Sequence, residues 1–257
     1  RALAERGQIE LSVTPYAHPI VPLLLDFQSA REAMPDIVLP ALDQYPGGEA
    51  RVQWQINQGL ETFERYFGFR PAGCWPSEGG VSDSALRAFE SAGFRWVATG
   101  ENVLRHSLRH QALDDKDEGH RAYALQDASM ACFFRDDGLS DLIGFTYSTW
   151  HADDAVNNLI SNLEKIAQST AHRREDMVVS IVLDGENAWE HYPENGYYFL
   201  SGIYHKLSQH PEIELTTFSG CLDAGTRLRH IPHVVAGSWV YGSFSTWIGD
   251  ADKNRAW

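Results

Sequence analysis

The sequence predicts an α/β fold in which a parallel sheet or barrel is covered by helices. Segments with strand character alternate with segments of helical spacing about six times along the chain. Residues 178–183 form an apolar run, which is typical of a strand buried on both faces of a parallel sheet. The length of 257 residues suits a single barrel domain of this class.

The order of elements follows from local patterns. Alternating, β-branched or apolar runs predict strands at residues 8–14, 72–75, 95–99, 130–135, 178–183 and 213–217. Periodic apolar positions predict helices at residues 48–67, 82–92, 153–168 and 195–208, with another from residue 219. Three prolines in residues 15–22 predict an irregular loop. Residues 106–121 are polar without a clear period and predict a second loop.

Composition excludes several classes of function. The formal charge of −14 argues against a nucleic-acid partner, because binding phosphates needs basic patches. No apolar stretch approaches the ~20 residues of a membrane span, so we expect no membrane association. The three cysteines are far apart, which predicts neither disulfides nor a zinc cluster and favours a reducing, cytoplasmic location. Neutral ligands such as sugars remain compatible with this composition.

Charged side chains follow most of the predicted strands at the point where each strand ends. They are His18, Glu78, Asp136, Asp137, Asp141, Asp184 and Glu186. Because the carboxyl ends of barrel strands meet on one rim, residues far apart in sequence converge there. Two carboxylates with nearby tryptophans suit carbohydrate chemistry, since one attacks the sugar, the other transfers a proton and indole faces stack on sugar rings. The sequence therefore predicts a catalytic carboxylate pair at this rim.

Several segments together resemble glycoside hydrolase family 57, whose members act on α-glucans. They are residues 7–10 with 15–24, residues 74–82, residues 183–190, and residues 237–239 with 247–250 and 254–257. Residues 134–136 and 139–148 are similar to a segment of the amylopullulanase-like branch of that family. The matching segments occur in the family's order over nearly the whole chain.

This resemblance implies a slightly irregular (β/α)7 barrel and retaining double-displacement chemistry. It places the nucleophile on Glu78 and the general acid/base on Asp184, with no cofactor and no bound metal. We expect burial and the charge of Glu78 to keep Asp184 protonated. The partner would be an α-glucan oligosaccharide or polysaccharide. The family's first conserved region, a His-Gln-Pro tripeptide, is absent, so residues 1–257 are expected to be one catalytic domain from a longer chain, without its first strand.

Other side chains are expected to bind sugar or to support the catalytic pair. Polar candidates are Glu10, His18, Arg135, Asp141 and Glu186. Candidate stacking platforms are Trp75, Trp189, Trp239 and Trp247. A retaining pair predicts carboxyl groups about 5–5.5 Å apart.

Three alternatives stay open at this point. A glucanotransferase or branching enzyme uses the same chemistry and differs in whether water reaches the intermediate. A metal-dependent polysaccharide deacetylase or mannosidase-like barrel would instead bind zinc through His18 and an aspartate. A non-catalytic carbohydrate-binding relative is the third alternative.

Overall fold

Five strands form one mixed sheet in the computed structural model, which describes residues 1–113, 119–185 and 188–257. The strands are β1 (Gly73–Cys74), β2 (Trp96–Thr99), β3 (Ala122–Leu125), β4 (Ala131–Phe134) and β5 (Arg229–Ile231). They lie in the order β1-β2-β4-β3-β5. The strands β1, β2 and β4 run parallel, whereas β3 is antiparallel to β4 and parallel to β5. The parallel part therefore directs the ends of β1, β2 and β4 toward one edge.

Two extended segments continue the parallel part of the sheet on either side. Val13 pairs with Cys74 of β1, and Ser180 pairs with Arg135 just after β4, both in parallel. The strands predicted at residues 8–14 and 178–183 are thus reduced to one bridge each, and residues 213–217 are not a strand. The expected burial of residues 178–183 on both faces was also wrong, because the segment lies at the margin of the described sheet and Ile181 is 37% exposed.

The helices surround this sheet. They are α1 (Ala2–Glu5), α2 (Val21–Leu25), α3 (Ala30–Ala33), α4 (Gly48–Phe67), α5 (Asp83–Ser91), α6 (Glu101–His110), α7 (Asp137–Asp141), α8 (Ala152–Ser169), α9 (Tyr197–Leu207), α10 (Phe218–Asp223) and α11 (Ala251–Ala256). No helix in the described ranges combines the length and apolar character needed to cross a membrane. The predicted helices at residues 48–67, 82–92, 153–168 and 195–208 are confirmed as α4, α5, α8 and α9.

Local chemistry explains where these helices start and stop. In α5, the Ser82 hydroxyl accepts a hydrogen bond from the Ala85 amide, which satisfies a free N–H group of the first turn. In α4, Gly68 ends the helix in the left-handed conformation at φ 81°. These are short-range interactions, so the sequence alone was enough to place both helix ends.

The loop predicted at residues 106–121 was wrong over its first part. Helix α6 extends to His110 and buries Val103, Leu104 and Leu108 on one face, a pattern that the intervening charged residues obscured. The strand β3 follows at Ala122 and was also missed. Residues 114–118 lie outside the described part of the chain.

Alternate residues of the central strands enter different apolar clusters. Trp96 and Ala98 of β2 pack on one side with Phe133 of β4, whereas Val97 packs on the other side with Cys132. Such period-two burial on both faces is typical of an α/β sheet. Burial also raises the pKa of the Cys132 thiol, which keeps it neutral. All three cysteines are buried and unbonded.

His233 ties two helical segments to the chain that leads to Trp239. Its Nδ1 lies 2.7 Å from Asp83 Oδ2 and its Nε2 lies 3.0 Å from Glu32 Oε2. Burial lowers the pKa of the imidazole, but the hydrogen bonds and charges of Asp83 and Glu32 outweigh that effect and raise it above its usual value. The protonated ring can donate to both carboxylates at once.

We expect His233→Gln to destabilise the chain more at pH 5.5 than at pH 9. Because the folded pKa is raised, the stabilisation is fully present below the unfolded value of about 6.5 and is lost as the pH rises through the folded value. The loss at the lower pH should be about 1–2 kcal/mol, as for hydrogen bonds to charged groups. Thermal unfolding across this pH range measures it, and an equal loss at both pH values would contradict the proposed linkage.

Candidate active site

Glu78 lies on a tight turn directly after β1. Residues Ser77–Gly79 form one turn of 3-10 helix, within which Glu78 has φ 56° and ψ 26°. A non-glycine residue in this left-handed region is strained and persists only where its surroundings hold it. Here the Glu78 carbonyl accepts a 3.1 Å hydrogen bond from the Trp239 amide, and the Thr99 hydroxyl donates to the Gly79 carbonyl. The turn therefore presents Glu78 in one imposed orientation.

Both oxygens of the Glu78 carboxylate are engaged. Oε1 lies 3.1 Å from His18 Nε2, and Oε2 accepts a 3.1 Å hydrogen bond from the Trp239 indole. His18 is also left-handed, at φ 55°. The Glu78 side chain keeps 32% of its surface exposed, so a ligand can reach it. Among the predicted site residues, the structure thus brings Glu78, His18 and Trp239 together.

A short antiparallel bridge positions Trp239 beside the turn. Val81 and Gly237 exchange two backbone hydrogen bonds of 2.9 and 3.0 Å. Gly100 allows close approach, because a Cβ there would lie 2.5 Å from Trp239 Cα. The Trp75 ring packs edge-to-face against Trp239 with centroids 5.1 Å apart. The two indoles therefore form one aromatic corner next to Glu78.

Arg135 joins this corner to the acidic segment after β4. It is 8% exposed, and its Nη1 and Nη2 lie 2.7 and 2.6 Å from Asp137 and Asp141. Its Nε donates to the Val182 carbonyl at 2.9 Å, and the guanidinium carbon lies 5.5 Å from the centre of the Trp239 ring. Burial lowers the pKa of this guanidinium, but the two aspartates raise it above its ordinary value. Arg135 is therefore a fixed, fully charged centre.

The acids around Arg135 respond differently to burial. Burial raises the pKa of Asp137, and its ion pair with Arg135 does not fully offset that effect because Glu101 and Asp141 add negative charge. Burial also disfavours the Asp136 carboxylate, but hydrogen bonds from His120 and the Leu139 amide lower its pKa. The end of β4 therefore holds one strongly ionised acid and one acid that ionises less readily than usual.

The segment that ends in Asp184 is anchored along its length. The Val178 amide donates to the His120 carbonyl at 2.9 Å, and the Asp136 amide donates to the Ser180 carbonyl at 2.8 Å. The Val182 amide donates to the Ser140 hydroxyl at 3.2 Å. The backbone position of residues 178–182 is thus set by His120, which precedes β3, and by residues that follow β4.

A chain of direct contacts connects the two predicted catalytic acids. It runs from Glu78 to Trp239, then to Arg135 and to Val182, two residues before Asp184. These contacts tie the Glu78 corner to the segment that leads to Asp184, and the pairing of the two acids stays a prediction. Asp184 itself is exposed, so the burial expected for a proton donor was wrong for the ligand-free chain.

Glu10 lies elsewhere. Its carboxylate accepts hydrogen bonds from the Trp96 indole at 2.8 Å and from the Ser219 amide at 3.0 Å. Because Trp96 is the first residue of β2, these contacts hold Glu10 near the amino ends of the strands. They give Glu10 a structural role, and its sugar-binding role stays a prediction that they do not support.

Two of the predicted stacking platforms pack inside apolar clusters. Trp189 lies against Tyr192 and Phe199, with centroid distances of 5.4 and 6.3 Å. Trp247 packs in the cluster around Phe27, and its carbonyl accepts from the Trp257 indole at 2.8 Å. These contacts show packing roles, while stacking on sugar stays a prediction for both. The predicted residue Glu186 lies outside the described residues.

Sequence reasoning missed Glu101. Its Oε2 accepts from the Asp137 amide at 3.0 Å, which ties the end of β2 to the acidic segment after β4. Glu101 follows β2 by two residues, so the pattern that identified the other acids, a carboxylate at a strand end, would have found it.

The zinc site of the deacetylase alternative has no counterpart in the described residues. No group of three or more histidine, cysteine, aspartate or glutamate side chains there is arranged to hold a metal ion. The predicted ligand His18 instead contacts the Glu78 carboxylate.

The sequence model of glycosyl hydrolase family 57 matches residues 1–234. The chain belongs to glycosyl hydrolase family 57. This confirms the family that the sequence segments resemble, whereas placement in the amylopullulanase-like branch stays a prediction. No curated protein sequence matches the chain.

Solved structures confirm the predicted fold of this family 57 chain. The branching enzyme of Pyrococcus horikoshii gives a TM-score of 0.75 at 16% identity, over 100% of this chain and 52% of that one. The branching enzyme of Thermococcus kodakaraensis gives 0.72 at 16% identity, over 100% and 54%. The α-amylase AmyC of Thermotoga maritima gives 0.70 at 14% identity, over 93% and 53%. The family 57 chain shares their (β/α)7-barrel fold and spans about half their length.

We expect Arg135→Lys to lower the free energy of unfolding by about 2–3 kcal/mol, because one ammonium cannot serve three acceptors spread around a planar guanidinium. Arg70→Lys is the matched control, since Arg70 pairs with Glu64 at 3.2 Å on the exposed surface. That control should change stability by less than about 0.5 kcal/mol. Chemical denaturation measures both, and equal losses would rule out a special role for the buried guanidinium.

Proposed function

We propose that the chain is the catalytic part of a retaining glycoside hydrolase that cleaves α-linked glucans. One observation carries the proposal: Glu78 is fixed on a strained turn by His18 and Trp239, and Arg135 links that corner to the segment ending in Asp184. Membership of glycosyl hydrolase family 57 supports the substrate class. The net charge of −14 is compatible with a neutral sugar.

In the first step, a Glu78 carboxylate oxygen attacks the anomeric carbon. The bond from that carbon to the glycosidic oxygen breaks, and Asp184 in its acid form protonates the departing oxygen. A covalent glycosyl ester on Glu78 results. Hydrogen bonds at both Glu78 oxygens restrict rotation of the carboxylate, so the nucleophile is oriented before substrate arrives.

In the second step, the Asp184 carboxylate takes a proton from water. The water oxygen attacks the anomeric carbon from the side that the leaving sugar vacated, and Glu78 departs as a carboxylate. Two inversions give net retention. Asp184 is exposed in the free chain, and exclusion of water when the glucan binds would favour its acid form.

The aromatic corner supplies the sugar contact. Trp75 and Trp239 are half-buried, so part of each indole remains available to a ligand. Indole faces pack well against the C–H face of a glucosyl ring, and the Glu78 carboxylate lies at the edge of Trp239. Among the four tryptophans singled out from the sequence, these two are the better candidates for stacking.

We expect Glu78→Gln and Asp184→Asn each to lower kcat on amylose by about 10³-fold, because the first removes the nucleophile and the second the proton donor. Glu61→Gln is the control, since Glu61 is an exposed glutamate of α4. Reducing-sugar release measures all three. Full activity in Glu78→Gln would overturn the assignment of the nucleophile.

Hydrolysis predicts a simple product pattern from amylose and from pullulan. New reducing ends should accumulate in proportion to bonds cleaved, because water is the acceptor in the second step. Cleavage of pullulan as well would support the amylopullulanase-like branch. Chromatography of debranched and untreated products measures the outcome. New α-1,6 linkages or redistributed chain lengths without new reducing ends would show transfer to a sugar hydroxyl instead.

A further inference from the structure

A cavity of about 370 Å³ lies beside the carboxyl ends of β2 and β4. Leu104, Leu108 and Phe134 form its apolar part. Its polar lining includes Glu101, Arg105, His120, Asp136, Ser169 and Arg173. Arg135 also contributes to the wall, so the cavity shares Arg135, Asp136 and Glu101 with the candidate active site. Glu78, His18, Trp239 and Asp184 are not among its lining residues.

Two of the polar side chains in this wall are paired with lining carboxylates. Arg105 Nε donates to Glu101 at 2.8 Å, and His120 Nε2 lies 2.7 Å from Asp136. The remaining lining arginine, Arg173, donates to the Gly119 carbonyl at 2.8 Å. A phosphate site needs cationic charge in excess, whereas Arg105 is paired with Glu101 and Arg135 is paired with Asp137 and Asp141. The cavity therefore fits a neutral molecule with many hydroxyl groups.

The remaining surface fits a sugar ring. Ligand pockets measure about 300–1,000 Å³, and this cavity is near the small end of that range. A pyranose has an apolar C–H face that can pack on Leu104, Leu108 and Phe134, and hydroxyl edges that can hydrogen-bond to the paired charges. We propose that the cavity binds one glucosyl unit of an α-glucan, as a subsite separate from the Glu78 corner. This inference rests on the proposed function.

The cavity also adjoins the residues that hold the Asp184 segment. The His120 carbonyl accepts from the Val178 amide, and the Asp136 amide donates to the Ser180 carbonyl. A glucosyl unit on the His120–Asp136 pair would therefore contact the two residues that set the position of residues 178–180. Occupancy of the subsite would align the glucan with the acidic segment.

Ser169 offers a way to close the cavity without removing a buried group. It is the exposed last residue of α8, and its hydroxyl donates to the Ile166 carbonyl at 2.9 Å. Ser208 is a matched control, exposed just after α9, with its hydroxyl donating to the His205 carbonyl at 3.1 Å. Ser208 does not line this cavity. Tryptophan at either position adds the same bulk in a similar place on a helix.

The test is binding of maltoheptaose by titration calorimetry to the Glu78→Gln chain, which prevents turnover. Adding Ser169→Trp should weaken binding at least tenfold, whereas adding Ser208→Trp should leave it unchanged. Hydrogen exchange on the chain without either tryptophan gives a second readout, and residues 104–108 and 169–173 should exchange more slowly with maltoheptaose bound. Equal affinities, or unchanged exchange in both segments, would overturn the subsite.

Two further outcomes separate this proposal from others. Competition of inorganic phosphate with maltoheptaose in the parent chain but not in Ser169→Trp would show an anion site and overturn the glucosyl subsite. If the unmodified chain releases no products from amylose, the proposed function fails. If it releases products while Ser169→Trp and Ser208→Trp bind equally well, only the subsite fails.

Discussion

The buried guanidinium of Arg135 is the interaction on which the catalytic edge depends. A charge with so little exposure is costly unless it is paired and hydrogen-bonded. Arg135 meets that condition with Asp137, Asp141 and the Val182 carbonyl, and it lies over the Trp239 ring. Because these partners come from three separate parts of the chain, satisfying one side chain brings together the end of β4, the segment before Asp184 and the aromatic corner.

The backbone of Glu78 is strained, and contacts with distant residues hold it in that conformation. A left-handed glutamate is unfavourable in isolation, and only long-range contacts hold it. The Val81–Gly237 bridge brings Trp239 close enough to bond both the backbone and the side chain of Glu78. A residue from the far end of the chain therefore positions the proposed nucleophile, so the orientation of this one carboxylate depends on the fold of the whole chain.

The acids of the candidate active site fall into two groups, one held by contacts within the protein and one exposed to solvent. Asp136, Asp137 and Glu101 are committed to caps, ion pairs and backbone amides, so they build the site. Glu78 and Asp184 retain exposed surface, so they remain available to a ligand. His233 also has a structural role, outside the candidate active site. It joins Glu32 and Asp83 close to the segment that leads to Trp239.

The sequence by itself determined the α/β class, helices α4, α5, α8 and α9, and the position of Glu78 after a strand, because periodicity, caps and strand ends are local patterns. The contacts of Glu10, Trp189 and Trp247 were set only by the tertiary structure, since the sequence does not show that Glu10 accepts from Ser219 or that Trp189 packs against Phe199. Strands β3 and β5 were missed because neither contains a run of β-branched residues, and both gain their order from pairing with neighbours. The exposure of Asp184 was likewise not predicted, because the apolar run before it indicated a buried strand. Local patterns can be read from the sequence, because they depend on neighbouring residues. Burial, hydrogen-bond partners and backbone strain depend on contacts between segments that are distant in the sequence.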